Sequence, residues 1–425
     1  MKMKLLLTAV MLAIAPVAHA ENLMDVYKHL HANPELSSME TDTAAYLAKR
    51  MKKLGFDVTE NFGGTGVVSV MKNGPGKTIM IRADMDGLPV KENTGLSYAS
   101  TVIKKDRFGD EWPVMHACGH DIHMTTFLGT AQELVANKDL WSGTLVMILQ
   151  PAEEISHGAK DMIKAGLFTK FPRPDYNLAL HANSAMPAGQ VGITSGYALA
   201  NVDSVDITVK GVGGHGAYPQ TTKDPIVLAS QIVLALQTIV SREVAAQDSA
   251  VVTVGSFNGG TKHNIIGEEV KLQLTVRSYS DETRDKLLAS IKRISENMGR
   301  VAGLADDKLP IVEIKDEYTP AAYNNPELSA KAMKVMAKVV GEKNVIAAQP
   351  VMGGEDFGRY GRTDPKIPGM IYWLGAANPE EVKAAQQAGQ SMPSLHSPFF
   401  KPDAAAAIPV GVDTMTATAV SLFNE

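Results

Sequence analysis

The sequence predicts an α/β fold: a mixed sheet with helices on both faces, interrupted by a smaller β-α-β-β-α-β unit. Three observations predict it. Short apolar runs alternate with helix-period segments as far as residue 200, near Asn201 the pattern changes to strict two-residue alternation, and after Tyr318-Thr319-Pro320 helix and buried-strand patterns return. A chain of 425 residues is long for one domain. The expected division is a leader at 1–20, a larger domain built from 21–200 and 319–425, and the smaller unit at 201–318.

The leader is read from three parts: Lys2 and Lys4, an apolar run from Leu5 to Val17, and Ala18-His19-Ala20 as a cleavage site. The run is too short to span a bilayer, which takes about 20 residues. Export by a cleavable signal to the periplasm or exterior is therefore expected. Residues 21–55 read as helical, broken at Pro34. Thr78–Arg82, Thr144–Leu149 and Tyr176–Leu180 read as buried strands, with helices over His123–Val135 and Ala159–Ala165. In the smaller unit Val202–Lys210 alternates as a half-exposed strand. A long helix follows over Asp224–Arg242, with Pro225 in its first turn, where proline is tolerated. Strands at Ala250–Gly255 and Val270–Tyr279, a helix at Asp281–Ala302 and a strand at Ile311–Ile314 complete the split ferredoxin-like order.

Composition excludes more than it selects. With 46 acids against 41 Lys plus Arg the formal charge is −5, so there is no polybasic footprint for nucleic acid or an anionic membrane. No stretch after the leader has the roughly 18 consecutive apolar residues of a membrane span.

Cys118 is the single cysteine, so it forms no disulfide within the chain. It is either a small buried hydrophobe or a metal ligand. Its neighbours decide: His116-Ala-Cys118-Gly-His120-Asp121-Ile-His123 holds five potential ligands in eight residues. Spacing alone favours His116 and His120 as an i, i+4 pair. Gln150-Pro-Ala-Glu153-Glu154 follows a buried strand, where open α/β sheets place their sites. Adjacent carboxylates point different ways, so one can bind metal while the other faces the substrate. Leu180-His181-Ala-Asn183 follows another strand, and Ser394-Leu-His396-Ser-Pro-Phe399 lies late in the chain. Asp86, in Arg82-Ala-Asp-Met-Asp86, is placed to orient a ligating histidine. Gly213-Gly-His215-Gly216 reads either as a plain turn or as a histidine presented by one.

These clusters, in this order, resemble the metal-dependent aminoacylase and carboxypeptidase family. The likeness is strongest to its amidohydrolase branch, which includes hippurate hydrolases and indole-acetyl-amino-acid (auxin-conjugate) hydrolases. Gly259-Gly-Thr-Lys-His-Asn264, Val276-Arg277 and Met352-Gly-Gly-Glu-Asp-Phe357 extend the match over nearly the whole chain after the leader. The resemblance implies a catalytic domain interrupted by a lid that also makes a homodimer. It implies Cys118, His120, Glu154, His181 and His396 as metal ligands and Glu153 as general base. His215, Asn264 and Arg277 become substrate contacts, with His215 reaching across the dimer. Departures at Ala182-Asn183, Gly354 and Tyr218-Pro219-Gln220 bear on pocket shape.

The expected reaction is hydrolysis of the amide of an N-acyl amino acid, or of a dipeptide by the same machinery. The expected cofactor is a pair of divalent cations. Cysteine with three histidines favours Zn2+ or Ni2+, carboxylate and imidazole also admit Mn2+ or Co2+, and the thiolate tips the choice to Zn2+. A closed structural metal site would leave no spare carboxylate; here Glu153 is spare.

Overall fold

The structure is a computed structural model that describes residues 22–316 and 318–425; the expected leader at 1–20 lies outside the described residues. Helices α1 (Leu23–Ala32) and α2 (Thr41–Lys53) flank Pro34. The Asn22 side chain caps α1 by accepting from the Met24 amide at 3.0 Å. Then come strands β1 (Asp57–Thr59), β2 (Val67–Asn73) and β3 (Thr78–Asp84), a hairpin of β4 (Ile103–Lys105) and β5 (Glu111–Pro113), helix α3 (His120–Ala136) and strand β6 (Gly143–Gln150). Short helices α4 (Gly158–Lys164) and α5 (Leu167–Lys170) lead to β7 (Tyr176–Pro187), β8 (Val191–Ile193) and β9 (Gly196–Leu199).

The next stretch holds β10 (Asn201–Lys210), β11 (Gly214–His215), α6 (Pro225–Thr238), β12 (Ala250–Gly259), β13 (Ile265–Ile266), β14 (Glu269–Ser278), α7 (Asp281–Val301) and β15 (Ile311–Ile314). The chain then gives β16 (Ala322–Asn324), α8 (Pro326–Val340), β17 (Val345–Ala347), α9 (Gly358–Gly361), β18 (Gly369–Ala377), α10 (Pro379–Gln387) and α11 (Ala404–Phe423).

Eight strands form the main sheet in the order β1-β2-β6-β3-β7-β18-β8-β17. Its centre, β6-β3-β7-β18, is parallel, while β1-β2, β2-β6 and β18-β8 pair antiparallel, so the sheet is mixed. Both faces are covered, and alternation along the strands shows it. Ile79, Ile81, Leu145 and Met147 enter a core with residues of α1, α2, α3, α8 and α11, whereas Met80, Val146 and Ile148 enter another with Ala159, Met162, Leu167 and Tyr360. Helix α11 owes its apolarity to that first core, where Ala407, Ile408, Met415 and Ala419 are buried.

A separate antiparallel sheet runs β12-β14-β10-β15, the ferredoxin-like order, with α6 and α7 closing a second core of Val205, Ile207, Leu236, Leu272 and Leu287. Asp224 caps α6 by accepting from the Ile226 amide at 2.9 Å, with Pro225 at the first position.

Two elements differ from expectation for a physical reason. Strand β7 does not stop at Leu180: it continues through His181 because β18 lies alongside, pairing Tyr372 with Leu180, Trp373 with His181 and Leu374 with Ala182. Strand β12 runs past Gly255 to Gly259 by absorbing a register shift between Val254 and Ser256 opposite β14.

Candidate metal centre

The carboxyl ends of the parallel strands converge on one edge, where open α/β sheets hold their ligands. Strand β3 ends in Asp84, β6 in Gln150, and β7 carries His181. Helix α3 starts at His120, with Gly119 at its cap in the left-handed region (φ 85°). A Cβ there would also lie 2.9 Å from Ala182 Cβ, so the turn from Cys118 into His120 requires glycine. Two non-glycine residues also have positive φ at this edge, Ala152 (51°) before Glu153, and His396 (66°). The His396 amide donates to the Ala117 carbonyl at 2.8 Å, which ties the late loop to the cysteine.

Ligand atoms of Cys118, His120 and His181 lie within 4.8 Å of one another, as do those of Cys118, Glu154 and His396, and those of His120, Glu153 and Glu154. Cys118 Sγ is 3.5 Å from His181 Nε2 and 3.3 Å from His396 Nε2, and Glu154 Oε1 is 3.6 Å from His396 Nε2 and 3.9 Å from His120 Nε2. The structure thus gathers all five residues named for ligation, with Glu153 beside them.

The hydrogen bonds around the cluster sort its members. His181 Nδ1 is 2.8 Å from the Ala182 carbonyl, so it carries the proton and Nε2 presents a lone pair. His123, by contrast, is spent: Nδ1 faces Asp84 Oδ1 at 2.6 Å and Nε2 accepts from the Ala182 amide at 2.8 Å. It serves as a strut between β3 and β7. Asp86 accepts from the Glu153 and Glu154 amides at 3.2 and 3.0 Å and lies 3.4 Å from His120 Nδ1, so one carboxylate sets the double-acid turn and a histidine ring.

The i, i+4 pairing of His116 with His120 that spacing alone favours, and that the family resemblance replaces with Cys118 and His120, is not formed. The helix begins only at His120, and His116 is buried before it with neither ring nitrogen hydrogen-bonded. Burial pushes His116 down to about 4, which keeps it neutral.

Sequence reasoning missed the support beneath the site. Arg82, 2 % exposed, donates to Asp84 Oδ2 at 2.6 Å, Glu355 Oε1 at 2.8 Å, Asp356 Oδ1 at 3.2 Å and Gln150 Oε1 at 2.9 Å. Three carboxylates from two segments are thereby gathered around one guanidinium behind the cluster. The signal was present: a lone arginine inside an apolar strand has to be paired.

The residues fit a cation. Nε2 of His120 and Oε1 of Glu154 are buried without a hydrogen-bond partner, and lone pairs left so cost free energy unless a positive centre satisfies them. Burial and then Glu154 and Glu153 push the Cys118 thiol well up, as expected where a thiolate awaits a counter-charge. Burial, with His123 next, holds His181 well down and so neutral and able to ligate.

Comparison with known proteins settles the family. The model of peptidase family M20/M25/M40 matches residues 80–420. The chain belongs to that family. It is a metal-binding hydrolase of amide C–N bonds. Hippurate hydrolase of Campylobacter jejuni is 41% identical over 334 residues, 77% of this chain and 82% of that protein. Thermostable carboxypeptidase 2 of Saccharolobus solfataricus is 37% identical over 84% of this chain and 86% of its own length. The crystal structure of the YXEP protein of Bacillus subtilis, a dinuclear metal-binding peptidase, superposes with a TM-score of 0.76 at 28% identity, covering 95% of this chain and 98% of that one.

The three residues named for substrate contact all belong to the stretch that holds β10 to β15. His215 pairs with Ile265 between β11 and β13, and the Gly216 amide donates to the Asn264 carbonyl at 2.9 Å. Both His215 and Asn264 are exposed. Arg277, on β14, donates from Nη1 to the Met352 carbonyl at 2.6 Å, which links the four-stranded unit to the segment that carries Glu355 and Asp356.

Proposed function

We propose that this protein hydrolyses the amide bond of N-acyl amino acids with two divalent cations, preferentially Zn2+, held by Cys118, His120, Glu154, His181 and His396. One observation carries the reading: the Glu154 carboxylate lies with Cys118 and His396 as well as with His120, whereas Glu153 lies between His120 and Glu154 on one side and the acids Glu355 and Asp356 on the other, which supports Glu154 as the ligand and Glu153 as the group for proton transfer. Bound cations would supply Lewis acidity to the substrate carbonyl and make a water easier to deprotonate.

The chain's own groups do the rest. Burial, reinforced by Glu355 and Glu154, raises Glu153 well above the usual carboxylate range, and a stronger base takes a proton from water more readily. The same Glu153 oxygen then returns the proton to the leaving amine. Burial raises Glu154 to about 7 while His120 opposes this; ligation would favour its ionised form. Arg277 and Asn264 would hold the amino acid's carboxylate through a guanidinium fork and an amide, and His215 would stabilise the carbonyl oxygen as it gains charge.

His215 is exposed, which supports its supply from a partner copy. The apolar outer surface of the same unit supports a homodimer: Leu234 is 72% exposed and Val227 54% on α6, with Phe257 and Ile265 also exposed. Export rests on the leader in the sequence alone.

The test is a panel of hippurate, N-acetyl amino acids and dipeptides, assayed with the Zn2+- and Mn2+-loaded protein. Hydrolysis of the acylated amino acids is expected. Turnover confined to dipeptides would replace this reading with the carboxypeptidase one that the 37% identical relative favours.

A further inference from the structure

A cleft of about 360 Å3 opens beside the metal centre, with Glu154 in its wall and Leu36, Leu88, Phe108, Trp112 and Ile155 as its apolar lining. Phe108 is 77% exposed and Trp112 42%, both carried by the hairpin β4–β5 and its turn. That turn is fixed: Asp106 accepts from the Phe108 amide at 2.8 Å, the Asp110 amide at 3.0 Å and Trp112 Nε1 at 3.1 Å. The indole is thereby aimed by a hydrogen bond, and the Arg107 guanidinium lies 4.9 Å from the Phe108 ring centroid, extending a flat surface.

The chain segments that line the cleft run directly into the site. Leu88 follows Asp86 by two residues and exchanges backbone hydrogen bonds with Met115 at 2.9 and 3.1 Å, three residues before Cys118. Gly87 donates to the Glu35 carbonyl at 2.7 Å, which sets Leu36 against the same edge. The lining tells which end of a substrate enters. Arg277 and Asn264, assigned above to the amino acid's carboxylate, are not among the residues that line this cleft, whose wall is largely apolar, so the acyl group is the end left to enter it.

We propose that this cleft receives the acyl part of the substrate, and that Phe108 and Trp112 make the enzyme favour a large apolar or aromatic acyl group over acetyl. The proposal rests on the amidohydrolase reading given above. Covering a ring-sized apolar group against these side chains corresponds to roughly a tenfold to hundredfold gain in specificity.

The test compares N-acetyl-, N-octanoyl- and N-benzoylglycine with the metal-loaded parental enzyme, a Phe108→Ala/Trp112→Ala variant and Trp112→Phe. The expected result is a parental kcat/KM at least about tenfold higher for the large acyl groups, most of it lost in the double variant through KM, with acetylglycine within about twofold and Trp112→Phe largely restored. Equal losses on acetyl and benzoyl substrates, or no loss on either, would overturn the proposal. So would a changed oligomeric state with unchanged acyl preference, which would make the rings a contact between copies. Binding to inactive Glu153→Gln protein separates the two readings. If no acyl-glycine is hydrolysed yet N-benzoylglycine binds through Trp112, the cleft stands and the amidohydrolase reading falls. If neither hydrolysis nor Trp112-dependent binding is found, both fall.

Discussion

Cys118 and His396, 278 positions apart, bring Sγ and Nε2 to 3.3 Å. Around that contact the rest of the cluster is assembled, from the start of α3, the β6 turn and the middle of β7.

Cys118→Ala should cost at least about 100-fold in metal affinity, since a thiolate ligand is lost and not merely its orientation. Metal content after dialysis against a graded chelator measures this. Because the thiol is held well above its usual value by burial and by Glu154, binding a cation releases a proton, and affinity should fall as pH falls.

Glu153→Gln should keep its metal and lose about 10²–10⁴-fold in kcat. Elemental analysis and steady-state kinetics on one sample check both halves. Parental turnover in a metal-loaded Glu153→Gln sample would remove Glu153 from the mechanism.

Arg82→Met should destabilise the fold by about 3–5 kcal/mol, because Asp84, Glu355 and Asp356 would remain buried without their cation. A denaturant midpoint measured on metal-free protein reads this without interference from ligand binding.

His31 sets an alkaline limit. Burial opposes its charge, but Asp121 Oδ2 at 2.7 Å and Glu92 Oε1 at 3.1 Å raise it from 6.5 to about 9. The folded value exceeds the unfolded one. Its stabilisation, about 3 kcal/mol by linkage, is therefore complete below about pH 6.5 and lost as pH rises towards 9. His31→Gln should flatten the decline in Tm over that window.

Val227→Glu combined with Leu234→Glu should convert the proposed dimer to monomers, seen by light scattering, with metal content unchanged. Activity should fall with the dimer, because the partner's copy of His215 would be withdrawn.

Much of this was legible before the structure. Strands and helices with clean periodicity, such as β10 and α7, fall within a residue or two of expectation because their burial alternates as their sequence does. The central strands were legible as apolar runs. The length of β7 was not, since His181 to Pro187 is held in a strand by β18, which arrives some 190 residues later. For the site, the ligand-type residues stood out as clusters. The support beneath them did not: nothing local tells Arg82 that Glu355 and Asp356 will meet it, and nothing in the 116–123 segment shows that His123 is a strut while His120 is open. Those distinctions live in long-range hydrogen bonds.

The loop tie between the His396 amide and Ala117 also has a temporal side. As the polypeptide emerges from the ribosome, Cys118 waits for a partner made 278 residues later. A nascent chain can therefore offer a cation only a partial cage, and capture must follow synthesis. Whichever compartment the finished chain folds in then decides which ion it meets first.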